Sequence, residues 1–346
     1  MNLEIIMKKF HGSSSDAERE AGYVRMIQIY TEYGFNAHLS YAETLEDIAN
    51  AIKEKEPDIV FCALDHAVEH YRHVKISHNV HKYFEYNNVN YIGSVPDIIE
   101  QSLSKSALKM RWDRAMINTP PYAAIGHSEN DLKRGLAKLI ELDAFPYIVK
   151  PENLGNSRGI DDSSIVWNAV QLAQGLAHLR LRYGGAILAE HYLGAYEDAM
   201  EITCAMIDGP ESVRCMPAQV LLTHPRKHHL ITTADKDQNK TSIQPLSPEL
   251  REKVIGFARR AFEVAGVRDY ARGDFFYADK RLWAIEINGQ PMIPDRWFAG
   301  AAALDGLSEA QYLVAIIAAG YRRLRREGKI DKPFPEAAEA LLKEVY

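Results

Sequence analysis

The chain has 346 residues, 47% hydrophobic and 25% charged, enough for two or three domains with their own cores and too apolar for disorder. A formal net charge of -6 excludes the basic excess that marks a nucleic-acid binder. Three cysteines, Cys62, Cys204 and Cys215, without metal-ligand spacing and no apolar run of membrane-spanning length point to a cytoplasmic, reducing setting without membrane or nucleic-acid partners.

Leu3 to Met7 is apolar enough for a buried strand, so the chain opens as structure rather than as a signal peptide. The turn HGSSSDAERE follows, then a helix to about Tyr33 that Gly34 ends. A second short strand covers Asn36 to Leu39, a helix with an acidic first turn runs from Thr44 to Lys55, and DIVFCAL reads as the third strand. NVNYIGS, ending at Ser94, reads as the fourth. Short apolar strands alternating with helices predict right-handed crossovers and a doubly wound parallel sheet, with ligands at the carboxyl ends of its strands. Loops 11–20 and 65–70 occupy those ends. Asp65, His66 and Glu69 match no spacing template, and the histidines at 66, 70, 73, 78 and 81 read as scattered polar-face residues.

The next helix carries Ser102, Ser104, Lys105 and Lys109, and Pro120 with Pro121 makes a stiff turn into a further unit. There the strand FPYIVKP brings Lys150 to the start of ENLGNSRGI. Glycines free the backbone to turn N–H groups toward one point, and small polar side chains add donors, so this loop can wrap phosphate oxygens. The lysine precedes the glycines, unlike a P-loop. A helix from Ser164 to Arg182 follows, then the strand AILAEHYL, whose Glu190 to Leu193 suits an adenine edge between apolar walls. Glu197 and Glu201 stand at the start of the next strand.

RGDFFYADKRLWAIEING, from Arg272 to Gly289, reads as two antiparallel strands and a turn. Glu286 and Asn288, two apart, point to one face, and the hairpin can bring Asp274 to them. Such oxygen-only ligands suit Mg²⁺ or Mn²⁺ completed by phosphate and water, and suit zinc or copper poorly. The helix from Ser308 to Glu327 is amphipathic and packs on the sheet or on a second subunit, which leaves a homodimer open; its basic run from Arg322 to Arg326 reads as a solvated face.

Lys150 with GNSRGI, Glu190 to Leu193, Glu201, Arg272, Asp274, Glu286 and Asn288, in that order, resemble the ATP-grasp superfamily, and within it the D-alanine-D-alanine ligase-like group. AERE at 17–20, GS at 93–94 and SK at 104–105 extend the likeness over essentially the whole chain. The resemblance implies an α/β fold of three domains: an N-terminal doubly wound domain over 1–94, a central subdomain with the phosphate loop over 95–187, and a C-terminal subdomain with the metal site over 188–346. ATP and two Mg²⁺ (or Mn²⁺) ions would lie between the last two. It further implies that Lys105 and Lys150 contact phosphate, that Asn156, Ser157 and Gly159 cover it, and that Glu190, His191, Tyr192 and Leu193 hold adenine. Either Glu197 or Glu201 matches the ribose glutamate, with Glu201 favoured. Asp274, Glu286 and Asn288 match the metal ligands, Arg272 the oxyanion arginine, and Glu18 the glutamate that receives the first substrate's amino group. The polar loop 224–240 resembles a lid that excludes water; Lys236 or Lys240 reaches phosphate from it, and Lys240 is the one assigned.

The implied activity is ATP-dependent amide (peptide-type) bond formation between a small-molecule carboxylate and an amine, with substrates of amino-acid or dipeptide type. Transfer of the γ-phosphoryl makes an acyl phosphate, a task of positioning and electrostatics that needs no side-chain nucleophile. One departure bears on substrate: in NGQPMIPDRWF, Met292 stands where the family has a glycine and Trp297 near its carboxylate-binding serine. That separates a general carboxylate-amine ligase from a D-alanine-D-alanine ligase proper. A catalytically inactive ATP-binding regulator would not be expected to keep Lys150, Arg272, Asp274, Glu286 and Asn288 together, and the first turn lacks the G-x-G-x-x-G of a dinucleotide enzyme.

Overall fold

The computed structural model describes residues 1–9, 14–72, 74–155, 157–224, 228–238 and 240–346, so Asn156, His73, part of the first turn and parts of the expected lid lie outside the described residues. β1 (Asn2–Lys8) is buried from Leu3 to Met7. It is followed by α1 (Ser14–Glu32), β2 (Asn36–Ala42), α2 (Leu45–Lys55) and β3 (Ile59–Cys62). The three strands form a parallel sheet in the order β2-β1-β3. Thr44 starts α2 with a capping box, its hydroxyl accepting from Asp47 N while Asp47 reaches back to the cap. Gly34, at φ +87, ends the preceding helix as its position requires.

Residues 65–70 are not a loop. β4 (His66–Tyr71) and β5 (Val74–Asn79) form an antiparallel hairpin that leads into α3 (Val80–Tyr86). Its alternation is too polar to announce strands, because Tyr71, Val74 and Ile76 are exposed on it and so bury little. The expected fourth strand is reduced to one parallel bridge, Val60 to Tyr91. On one side the segment bonds β3, Val60 N to Asn90 O and Ile92 N to Val60 O. On the other, side chains take the backbone groups a further strand would use: Arg323 Nη2 donates to Tyr91 O at 2.7 Å, and Gly93 N donates to Asp269 Oδ2 at 2.8 Å.

α4 (Pro96–Leu103) and α5 (Lys105–Arg114) then cross to the C-terminal part, where Trp112 is buried against the third sheet's helical face. The second sheet comprises β6 (Tyr122–Ile125), α6 (Glu129–Leu142), β7 (Tyr147–Pro151), β8 (Ile165–Val166), α7 (Ala169–Tyr183) and β9 (Ile187–His191), with strand order β6-β9-β7-β8. α7 begins later than Ser164, since Ser164 and its two predecessors form a short 3-10 turn and β8 intervenes. The division expected at 187–188 falls inside β9, which pairs with both β6 and β7.

β10 (Met200–Asp208), β11 (Val213–Leu222), α8 (Thr233–Asp237), β12 (Thr241–Gln244), α9 (Pro248–Ala265), β13 (Tyr270–Ala278) and β14 (Arg281–Asn288) build the third unit. Its antiparallel sheet runs β12-β11-β10-β13-β14. α10 (Arg296–Leu304), α11 (Glu309–Arg326) and α12 (Glu336–Leu342) cover it. α11 is buried all round from Tyr312 to Gly320, because one core joins the N-terminal sheet, α10, α11 and the face of β10 and β11. No single helix is long and apolar enough to cross a membrane among the described residues.

The basic run is not uniformly solvated. Arg323 is buried and grips Asp269 with two hydrogen bonds, Nε to Oδ1 at 2.9 Å and Nη2 to Oδ2 at 2.8 Å. Asp269 is fully buried, sits at φ +66 and immediately precedes β13. Removing one partner of such a pair leaves an uncompensated buried charge, so Arg323→Ala is expected to lose about 3–5 kcal/mol of stability. Exposed Arg326→Ala should change it by less than about 0.5 kcal/mol. Urea denaturation of the two variants side by side checks the contrast.

Candidate active site

The β13–β14 hairpin turns at Asp279 and Lys280, both at positive φ (51 and 58), as a two-residue hairpin turn of matching twist requires. Neither is a glycine, and Asp198 holds the turn by accepting from Asp279 N and Lys280 N, each at 2.9 Å. Pairing runs Ala278 with Arg281 down to Phe275 with Ala284, then shifts, so that Asp274 faces Glu286 and Arg272 faces Asn288. Ile285 is the extra residue of a β-bulge. Were Ile285 paired in the ladder instead, strict alternation would put Glu286 opposite Gly273, on the sheet face away from Asp274. The bulge therefore creates the carboxylate pair.

Asp274 also accepts from Thr203 Oγ1 at 3.2 Å on β10. Burial raises the Asp274 pKa and the facing Glu286 charge adds to it, although Arg272 opposes both. Burial also pushes Glu286 upward, but Lys105, Lys150, Lys236 and Arg272 outweigh it and hold its carboxyl below the usual range. Two facing carboxylates with an amide beside them are a hard oxygen donor set whose repulsion a divalent cation would relieve, which fits Mg²⁺ or Mn²⁺. Asn288 Oδ1 meanwhile accepts from Gln290 N at 2.9 Å. Arg272 bonds Asp295 Oδ2 at 2.7 Å and lies 3.5 Å from Asp274 Oδ2, its guanidinium over the Trp297 ring. Burial lowers its pKa, but these carboxylates with Glu286 raise it further, so the charge is permanent.

Opposite the hairpin stand three buried lysines. Lys105 donates to Leu154 O at 2.7 Å and Glu152 O at 3.3 Å, with Glu286 Oε2 at 3.9 Å. Lys150 pairs with Glu190, and Lys109 reaches the other oxygen of Glu190 at 2.8 Å. Burial pushes Glu190 upward, yet the two lysines bring its pKa down to about 2. Its side chain thus holds lysines rather than pointing at a nucleobase. Lys109 had no role in the sequence reading; its place four residues after Lys105, on the same helical face, was the available signal.

Glu152 was also missed, and nothing in its spacing marks it. Its Oε1 accepts from Ser106 N at 2.8 Å, Ser106 Oγ at 2.6 Å and Ser104 Oγ at 3.0 Å, which fastens the phosphate loop to the start of α5. In the loop, Ser157 has φ +54 and Gly159 φ +79, and a Cβ on Gly159 would stand 2.8 Å from Pro151 Cγ. The segment expected to be a lid touches this loop, Thr233 Oγ1 donating to Ser157 O at 2.9 Å, and it touches the end of β9, where Tyr192 Oη donates to His229 O at 2.7 Å.

These elements enclose a cleft lined by Lys105, Lys150, Ser157, Glu190, Tyr192, Glu201, Lys236, Arg272, Asp274 and Glu286, with Ile148, Leu230, Phe275 and Ile285 as apolar walls. Glu201 lies within it, its Oε2 3.4 Å from His229 Nε2, while Glu197 is exposed outside its lining. Of the two lid lysines, Lys236 lines the cleft and Lys240 is exposed and does not. His191 and Leu193 line it, whereas Gly159 shapes the loop behind. A second cavity of about 400 Å³ adjoins at Lys105, Lys236, Arg272 and Glu286, and Asn288 opens into this one. Glu18 is exposed and outside its lining; Arg19 lines it.

Residues 111–318 match the family model described as the D-ala D-ala ligase C-terminus. The chain is 26% identical over 246 residues to the D-alanine--D-alanine ligase of Maridesulfovibrio salexigens, covering 68% of this chain and 74% of that one. It is 27% identical over 244 residues to the enzyme of the same name from Methylacidiphilum infernorum, covering 69% and 73%. Its fold is similar to the crystal structure of the D-alanine--D-alanine ligase from Bacillus anthracis complexed with ATP, with a TM-score of 0.71 and 20% identity over 95% of this chain and 100% of that chain.

Stability from Glu190 is present above the ordinary carboxylate pKa and lost as pH falls toward about 2. Lys109→Met removes one of its two cations and should cost about 3 kcal/mol at pH 7. The Glu190 pKa then rises, so acid unfolding of the variant should begin at higher pH; urea melts at pH 7 and pH 4 test both effects.

Proposed function

The chain belongs to the D-alanine-D-alanine ligase C-terminal family and is an ATP-dependent carboxylate-amine ligase, and we propose that it joins two amino-acid-type substrates through an acyl phosphate. The observation that carries this reading is the cleft in which the Asp274–Glu286 pair and Arg272 face Lys105, Lys150 and Lys236.

ATP is held with its base against Tyr192, Leu193 and the apolar walls and its ribose at Glu201. Lys105, Lys150 and Lys236 supply positive charge to the phosphates, and the Ser157–Gly159 turn covers them. Asp274, Glu286 and Asn288 would hold Mg²⁺, which neutralises phosphate charge when bound. A substrate carboxylate positioned at the Arg272 edge attacks the γ-phosphorus, and ADP leaves. The acyl phosphate so formed has a leaving group that a free carboxylate lacks. A neutral amine adds to its carbonyl carbon, Arg272 stabilises the oxyanion, and phosphate departs as the amide forms. The lid bonds to Ser157 and Tyr192 keep water from the acyl phosphate. Glu190 and Glu152 act at one remove: the first fixes Lys150 and Lys109, the second ties the loop to the helix bearing Lys105.

A narrower reading, D-alanine at both positions, is favoured by the names of the relatives. Met292 and Trp297 in the second cavity's wall weigh against it for the second substrate.

Phosphate release from Mg-ATP, measured over D- and L-amino acids singly and in pairs with mass analysis of products, tests the ligase reading and names its substrates. Glu286→Gln is expected to abolish turnover with an unchanged melting profile, and Arg272→Ala to lower kcat roughly 10²–10³-fold. Near wild-type turnover in Glu286→Gln would overturn the metal assignment.

A further inference from the structure

We propose that the second cavity accepts an amine substrate of dipeptide length whose far end carries a carboxylate received by Arg19; this rests on the ligase reading above. The cavity, at about 400 Å³, lies in the range of sites that take ligands larger than alanine, and the acyl group under attack shares its inner end. It opens on Arg272, Glu286 and Asn288, so a ligand inside it can present its amine to the reacting carbonyl.

The remaining wall is apolar and cationic. Trp297 is buried and already bears Lys236 and Arg272 over its ring, at 5.2 and 5.6 Å. Trp297 itself offers no hydroxyl, and two other polar groups of the lining are engaged within the protein, Ser102 Oγ donating to Ile99 O at 2.8 Å and Arg296 Nη2 to Thr241 Oγ1 at 2.8 Å. Met292 and Leu103 extend the apolar surface outward. The carboxylates in the lining are Glu286 and Asp295, and Asp295 is engaged by Arg272 and caps α10. A ligand body is therefore received by apolar groups, and its acid group is left to Arg19, which the N-terminal unit adds to the lining.

Arg19 belongs to the lining from the N-terminal unit, and a close contact seats its helix there. Gly22, one turn later on α1, packs against the Ile293–Pro294 turn so tightly that a Cβ there would stand 2.5 Å from Pro294 Cγ. Residues three apart share a helical face, so Arg19 lies on the side of α1 that meets this segment and lines the cavity with Asp295 and Trp297. Arg19 and the reacting groups bracket the cavity from opposite units of the fold. Two extended residues span roughly 7 Å, a reach alanine lacks.

The test offers acceptors with Mg-ATP and the best donor from the panel: both alanine enantiomers, alanyl dipeptides of each configuration, and the carboxamides of those dipeptides. ADP release and product mass are the readouts. A dipeptide acid should exceed either alanine by about 10-fold or more in kcat/KM, in line with a charged hydrogen bond, and its carboxamide should lose that advantage. Arg19→Ala should reduce the dipeptide-over-alanine ratio about 10-fold and Arg19→Lys restore part of it; Arg19 is exposed, so both variants are expected to fold. Alanine equal to the dipeptides, carboxamides equal to the acids, or an unchanged ratio in Arg19→Ala would overturn the proposal while leaving the ligase intact. No ADP with any acceptor, despite a thermal shift with Mg-ATP, would overturn the ligase reading and this inference with it.

Discussion

The buried pair of Arg323 and Asp269 is the constraint from which the first and third units take their relative placement. Asp269 receives Gly93 N from the N-terminal sheet and two bonds from α11, and the next residue begins β13. One carboxylate thus fastens the edge of the first unit, the most buried helix and the strand that carries Arg272 and Asp274. Its cost is desolvation, offset by a fully satisfied shell of charge-assisted hydrogen bonds. The helix packs so closely there that a Cβ on Gly320 would meet Ile92 at 2.2 Å. Little room remains for the first and third units to slide past each other, and the second cavity lies where they meet.

Charge balance governs the cleft in the same way. Glu190 gathers Lys150 and Lys109, Glu286 faces Lys105, and Asp295 holds Arg272, so most cations have a fixed anionic neighbour before any ligand arrives. Preorganised charges of this kind need not reorient when phosphate enters. At Asp274 burial outweighs the neighbouring Arg272 and, with Glu286, disfavours the charge, so an added cation would stabilise the ionised form.

Much of this was legible in the sequence. The parallel start, the strand bearing Lys150, the Gly/Ser loop and the final hairpin follow from apolar period, glycine placement and charge spacing. What escaped depended on partners distant in the chain. The β4–β5 hairpin is stabilised by cross-strand pairing that polar alternation conceals, and the segment at Tyr91 lost its strand character to side chains of residues 269 and 323. The basic run could not reveal that one arginine of the set turns inward. Lys109 and Glu152 sit in ordinary positions, and only folding shows that each meets a buried counterpart.

The bulge at Ile285 carries a consequence for how such a site tolerates change. Asp274 and Glu286 are brought to one face by a single surplus residue, and the distance from that residue to the turn is set by Asp198 gripping Asp279 and Lys280. The site therefore has a parity as well as a composition. Losing one residue between the turn and Glu286 would remove the bulge and still leave the glutamate opposite Asp274, whereas gaining one that stayed in the ladder would turn it to the other side of the sheet. Between the clamp and the glutamate the strand therefore has one residue to spare and no room in the ladder for one more.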